Sequence, residues 1–201
     1  MSLRSWGRKW VSVTGMTPKI ALLDANVLYP APLRDLLLQL ASAGLYQVRW
    51  SADINDEWKR NLLAARPELA AQIDRTQVVM HQAIPDALVI DYASLIPDLV
   101  LPDIDDRHVL AAVITAKADV IVTFNLKDFP VVSLAPHGIE ALHPDAFLKS
   151  IADAEPTLVV TGAHTCRTRL TRPPMSASTY VANFRALGLV ETAAFLDGKL
   201  S

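Results

Sequence analysis

Short apolar runs alternate along the chain with longer segments whose apolar residues recur every three or four positions. These are the signatures of buried strands and amphipathic helices. After Pro18, "KIALLD" is a continuous apolar run ending on a carboxylate, the pattern of a strand buried on both faces. "PLRDLLLQLASAG" follows, with Leu33, Leu36, Leu37 and Leu40 at helical spacing and Gly44 as a stop. "YQVRWS" predicts a second strand, and Ser51 an N-cap for "ADINDEWKRNLLAA", where Ile54, Trp58 and Leu62 share a face. Pro67 opens a further helix, "PELAAQIDRTQVVMHQAI". "DALVIDY" reads as a third strand or edge segment. "DRHVLAAVITAKA" predicts a helix with Val109, Ala112, Val113 and Ala116 inward, "DVIVTF" a strand and "LKDFP" a turn. Past Pro144 no strand-plus-carboxylate unit recurs. "DAFLKSIADA", a helix capped by Ser176 or Ser178, and "ETAAFLDG" predict a helical tail.

Strands alternating with helices through short connections predict a parallel sheet flanked by helices, an α/β fold. The expected organisation is a lead-in over 1–18, a main domain over 19–144 and a helical extension over 145–201. In such sheets ligands bind at the carboxyl ends of the strands. Asp24 ends the first strand and Asn125 ends "DVIVTF", so two polar groups reach the same edge.

Composition narrows the classes. The 201 residues are 51% hydrophobic and 20% charged, enough for one ordinary core with a helical extension. A net charge of −2 supplies no global basic field for a long duplex, though a small site gripping one or two phosphates remains open. Cys166 is the sole cysteine, so no intrachain disulfide forms, which fits a reducing cytoplasm. No apolar run reaches membrane-spanning length. "MSLRSWGRKWVSVTG" lacks the apolar core of a signal peptide and reads as a loosely docked lead-in, with Met16 an alternative start.

Four places deliver acidic or amide groups near strand ends or helix starts: Asp24 with Asn26; Asp53, Asp56 and Glu57; Asp103, Asp105 and Asp106; and Asn125 with Asp128. Singly, each has a plainer role. Asp24 can cap the helix after Pro30, Glu57 can be solvated, Asp105 and Asp106 suit the start of a helix dipole, and Asp128 suits a turn. Together, carboxylates from separate segments repel one another. A hard divalent cation such as Mg²⁺ or Mn²⁺ resolves that conflict with oxygen ligands, and phosphodiester hydrolysis is the chemistry that follows. Crowding also predicts that Asp24→Asn leaves the fold as stable as before, or slightly more so.

"LLDANVLYP", "SADINDEWKRNL" and "DIDDRHVLAAVITAKADVIVTFNLKDFP" resemble the PIN-domain ribonucleases, the group that includes VapC-type toxins. The resemblance covers roughly Lys19 to Pro144, and the tail after "LHPDAFL" is similar to an extension some members carry. It implies a three-layer α/β/α fold, an acidic pocket for Mg²⁺ or Mn²⁺, endonucleolytic cleavage of RNA, an antitoxin partner and a homodimer. Asp24 matches the first-strand aspartate. Glu57 matches the helix glutamate, with Asp53 and Asp56 nearby, and Asp106 or Asp105 matches the third acid. Asn125 stands where the family often has Asp, a departure that Asp128 can offset through a water. Asn26, Asn125, Arg34 and Arg107 are candidates for substrate contact. Arg107 equally suits an ion pair with Asp103 or Asp106, and Arg34 a surface salt bridge. His108 reads as a packed or surface residue, Trp50 and Trp58 as core. "HTCRTRLTR" groups Arg167, Arg169 and Arg172 in a patch that is either solvated or grips RNA backbone.

Three other functions fit parts of the pattern. A nuclease for structured DNA would need a larger basic surface. A metal-free nucleic-acid- or protein-binding module of the same fold is kept open by Asn125. A haloacid-type phosphatase is disfavoured because Asp24 is followed by Ala-Asn and not by the second Asp of a DxD pair.

Overall fold

The computed structural model describes residues 19–171 and 173–200; the lead-in with Met16, and Arg172, lie outside the described residues. β1 (Ile20–Leu23) leads through a one-turn helix, α1 (Ala25–Leu28), into α2 (Ala31–Ser42). β2 (Gln47–Ser51) runs directly into α3 (Ala52–Ala65), capped by Ser51 Oγ accepting from Ile54 N at 3.2 Å, as its sequence predicts. The segment opened by Pro67 divides into a 3-10 turn, Pro67–Leu69, and α4 (Ala70–Ala83). The expected third strand shrinks to β3 (Leu88–Val89), and a loop leads to α5 (Arg107–Thr115) and β4 (Val120–Val122). A 3-10 turn, Leu126–Asp128, precedes α6 (Val131–Leu134) and β5 (Glu140–Leu142), a strand the apolar pattern does not announce. Four helices complete the chain: α7 (Pro144–Ala154), α8 (Pro156–Arg169), α9 (Ala177–Ala186) and α10 (Val190–Leu196).

All strand pairs are parallel and the sheet order is β3-β2-β1-β4-β5. Helices flank both faces, giving the three-layer α/β/α architecture. The chain winds outward from β1 in one direction through β2 and β3, then crosses to the other side for β4 and β5. The order therefore reverses between β1 and β4, and a crevice opens there beyond the carboxyl ends of the strands. Both strands are buried at this point, and Asp24 N donates to the Val122 carbonyl at 3.1 Å.

Trp50 and Trp58 are buried in the core. The tail packs on the same core: Phe147 of α7 meets Tyr46 edge-on with ring centroids 5.0 Å apart. α8 lies along α2 so closely that a Cβ on Gly162 would sit 2.9 Å from Leu40 Cδ2. Asp145, 8% exposed, accepts from Glu191 N at 2.9 Å, Thr192 N at 2.8 Å and Thr192 Oγ1 at 2.7 Å, holding the start of α10 onto α7. Asp145→Ala leaves those donors unanswered and is expected to cost about 2–3 kcal/mol in a urea unfolding titration. An unchanged midpoint would mean that water replaces the carboxylate. Among the described residues no helix is long and apolar enough to cross a membrane.

Candidate active site

Asp24 stands first in the crevice and is 4% exposed. It is an N-cap, though for α1 and not for the helix after Pro30: its Oδ1 accepts from Ala25 N at 2.6 Å. The other oxygen does more than capping requires. Oδ2 accepts from Asn26 Nδ2 at 2.6 Å and from Thr123 Oγ1 at 2.7 Å. Thr123, fully buried just past β4, also accepts from Asn26 Nδ2 at 2.9 Å and Asn125 N at 3.0 Å, so its one hydroxyl proton goes to Asp24. Asn26 Oδ1 in turn accepts from Phe124 N at 3.1 Å. This web ties the end of β1 to the end of β4. Both ends of the Asn26 amide, expected to contact substrate, are bonded within the protein, to Asp24, Thr123 and Phe124 N.

Beside this web lies a cavity of about 710 Å³ whose walls come from α3, the loop before α5, α5 itself and the turn after β4. Asp53, Asp56, Glu57, Asp103, Asp105 and Asp106 line it, with Arg60, Asn61, His108 and Asn125. Asp106 occupies the N-cap position of α5, yet its side chain makes no capping bond, so the carboxylate is left to the cavity. Burial, then the charges of Asp24, Asp103, Asp128 and Glu57, push its pKa up to about 7. Asp24 is raised as well, mainly by burial, with Thr123 and Ala25 N opposing and Glu57 reinforcing. These effects place Asp24, Asp103, Asp128 and Glu57 within electrostatic reach of Asp106.

Among the described residues, Asp103, Asp106 and Asp128 form an acidic group in which each can offer an oxygen within 4.8 Å of the others. An oxygen-only donor set from several segments suits a hard divalent cation, so the residues fit the group the fold implies. Asp128 is drawn into place by Asn125, whose Nδ2 donates to Asp128 Oδ2. Asn125 thus faces the cavity as an amide that steers a neighbouring acid. Asp103, one of the acids ahead of α5 but not among the expected metal ligands, belongs to that trio. Asp105 lines the cavity, and its backbone N bonds to Asp103 Oδ1 at 2.9 Å.

Three expectations are corrected. His108 is neither surface nor plain packing: its Nε2 lies 3.7 Å from Glu57 Oε2. Burial opposes its charge, but Glu57, Asp53 and Asp24 outweigh burial and raise its pKa. Arg34 forms the expected ion pair, its Nε 3.5 Å from Asp35 Oδ1, but it does not lie at the surface. It is 6% exposed, with Nη1 donating to the Leu28 carbonyl at 2.9 Å and its guanidinium 5.3 Å from the Trp58 ring centroid, and it lines a separate groove with Tyr29 and Ile73. Arg107 pairs with neither Asp103 nor Asp106 and does not line the acidic cavity; its Nε is buried without a hydrogen-bond partner. The guanidinium at the cavity is that of Arg60, which the sequence signalled only by its spacing from Glu57. Arg167 Nη1 donates to the Met175 carbonyl at 3.3 Å in the link between α8 and α9, and Arg169 acts on Asp35 of α2.

A family model described as PIN domain matches residues 21–127, and one described as VapC50 C-terminal domain matches residues 144–198. A curated protein of Mycobacterium tuberculosis (strain ATCC 25618 / H37Rv), "Putative ribonuclease VapC50", is 63% identical over 43 residues, 21% of this chain and 25% of that protein. The matched stretch spans a quarter of that relative's length. No solved structure matches the chain.

Proposed function

The chain belongs to the PIN-domain family, and on that premise we propose that it is a metal-dependent endoribonuclease, the toxin half of a toxin–antitoxin pair acting in the cytoplasm. The observation that carries the reading is the convergence on Asp106: it is half-buried, stands with Asp103 and Asp128 in one acidic trio, and is raised to about 7 by burial and by Asp24, Asp103, Asp128 and Glu57. Carboxylates held together at that cost to one another are what a cation site requires. The relative's printed name, a ribonuclease, agrees with this reading. A cognate antitoxin and a homodimer are part of the proposal.

In this reading Asp106, Asp128 and Asp103 hold Mg²⁺ or Mn²⁺, with Asp24 and Glu57 on the adjoining walls. A cation held there would supply a Lewis acid for the scissile phosphate and would lower the pKa of a bound water, which attacks as hydroxide once its proton is lost. The protein's own groups have separate tasks. Thr123 and Asn26 fix Asp24, so that a carboxylate at the strand end keeps one orientation. His108 steadies Glu57 from across the cavity. Asn125 keeps Asp128 turned inward. The trio formed without a carboxylate at position 125 also weighs against a metal-free binding module.

Incubating RNA with the protein in Mg²⁺ or Mn²⁺ and in EDTA tests the proposal. Cleavage is expected with either metal and none with EDTA. Equal cleavage in EDTA, or none in any divalent metal, overturns it.

A further inference from the structure

The acidic cavity poses a problem for a polyanionic substrate. Six carboxylates line it against one guanidinium and one imidazole. The imidazole, His108, is engaged with Glu57. The guanidinium, Arg60, makes no hydrogen bond or ion pair among the described residues. Its neighbour Lys59 behaves differently, with Nζ 3.2 Å from Asp74 and donating to Gln77 at 2.8 Å. One basic residue of α3 therefore clips the helix to α4, while the next is left free.

Helical phase explains the difference. Glu57, Arg60 and Asn61 stand at i, i+3 and i+4 on α3, so all three share the face that forms the cavity wall. Lys59 points about 100° away from Arg60. Arg60 and Asn61 are both exposed, so they sit at the mouth, whereas Asp24 is buried beyond it. An exposed ion pair with one of the nearby acids is worth ~1 kcal/mol or less and would fix a long side chain. A phosphate offers Arg60 two parallel acceptors in the fork geometry a guanidinium prefers.

We infer that Arg60, assisted by Asn61, binds the RNA phosphate flanking the scissile one, supplying at the mouth the positive charge that the acidic cavity lacks. The inference rests on the ribonuclease reading and adds to it the element that seats the strand. A cation held by the inner acids would neutralise them, and Arg60 gives the backbone a second point of attachment, which fixes its direction across the crevice.

Binding of a fluorescent single-stranded RNA oligonucleotide, measured by anisotropy in Ca²⁺ over a range of salt, provides the test, alongside Mn²⁺ titration of the same proteins. Arg60→Ala is expected to weaken RNA binding on the order of tenfold and to flatten the salt slope by about 0.7. Its Mn²⁺ affinity is expected to equal or exceed wild type, because a cation beside the acids has been removed. Arg60→Lys is expected to restore the salt slope and only part of the affinity, keeping the charge and losing the fork. RNA binding with unchanged affinity and slope in Arg60→Ala overturns the inference, as does loss of RNA binding in step with Mn²⁺ binding. Wild type that neither binds nor cleaves RNA overturns the ribonuclease reading together with this one. Wild type that binds and cleaves beside an indistinguishable Arg60→Ala removes this inference alone.

Discussion

Asp106→Asn is expected to raise the melting temperature of the metal-free protein at pH 8 while lowering metal-dependent cleavage by roughly a thousandfold, about 4 kcal/mol of barrier. The two effects have one cause. Burial first, and then Asp24, Asp103, Asp128 and Glu57, lift the Asp106 pKa from 3.8 to about 7. Between those values the folded state holds a proton that the unfolded chain releases. The stability of the metal-free protein therefore falls as pH rises through that window, and the full penalty is present above about 7. Asparagine carries no charge to penalise. Asp106 is half exposed, and solvent screening reduces the penalty to a fraction of the formal shift. A gain of a few degrees is the expected scale for a chain of this length. Below about pH 3.8, where the carboxyl is protonated in both folded and unfolded states, wild type and variant should melt together. Mg²⁺ or Mn²⁺ should raise the wild-type melting temperature at pH 8 and leave the variant's unmoved, since the ion offsets a repulsion the variant lacks. A variant that melts lower than wild type at pH 8 would show that the carboxylate makes contacts worth more than its charge costs.

Asp24→Asn is expected to abolish cleavage to a similar degree yet to melt lower than wild type, by a few degrees. Charge crowding alone predicts no loss of stability, and the hydrogen bonds around Asp24 reverse that expectation. Oδ1 can keep its bond from Ala25 N, but an amide nitrogen in place of Oδ2 would face two donors, Asn26 Nδ2 and the Thr123 hydroxyl. Neither is free to turn: Thr123 already accepts from Asn26 and from Asn125 N, and Asn26 Oδ1 already accepts from Phe124 N. Leaving a buried donor without an acceptor costs about 1–3 kcal/mol each, more than the relief of one like charge returns. Differential scanning of the two variants side by side decides the matter. If Asp24→Asn gains stability as Asp106→Asn does, repulsion dominates at the strand end and the web around Thr123 is incidental.

Much of this architecture is written locally. The runs "KIALLD" and "DVIVTF" are strands because unbroken apolar runs ending on polar residues suit strands buried on both faces. Ser51 and Ser176 cap their helices because a hydroxyl there answers orphan N–H groups whatever lies beyond. The tail is helical for the same local reasons. Asp24, Glu57, Asp106 and Asp128 could be singled out as a set because carboxylates at strand ends and helix starts recur in order along the chain.

Tertiary structure decided how those groups act on one another. β5 has three residues and is a strand only because β4 supplies a parallel partner. Asp24 and Thr123 are 99 residues apart and meet only because β1 and β4 are neighbours at the point where the sheet order reverses. Asp103 joins the acids, and Arg60 lines the cavity where Arg107 does not, through helix phase and the placing of α3 and α5 on the cavity walls. A sequence carries the phase of each helix, since 3.6 residues per turn fix which side chains share a face. Which face becomes a cavity wall depends on where the partner helix lies, and that is set by long-range packing that no local pattern contains.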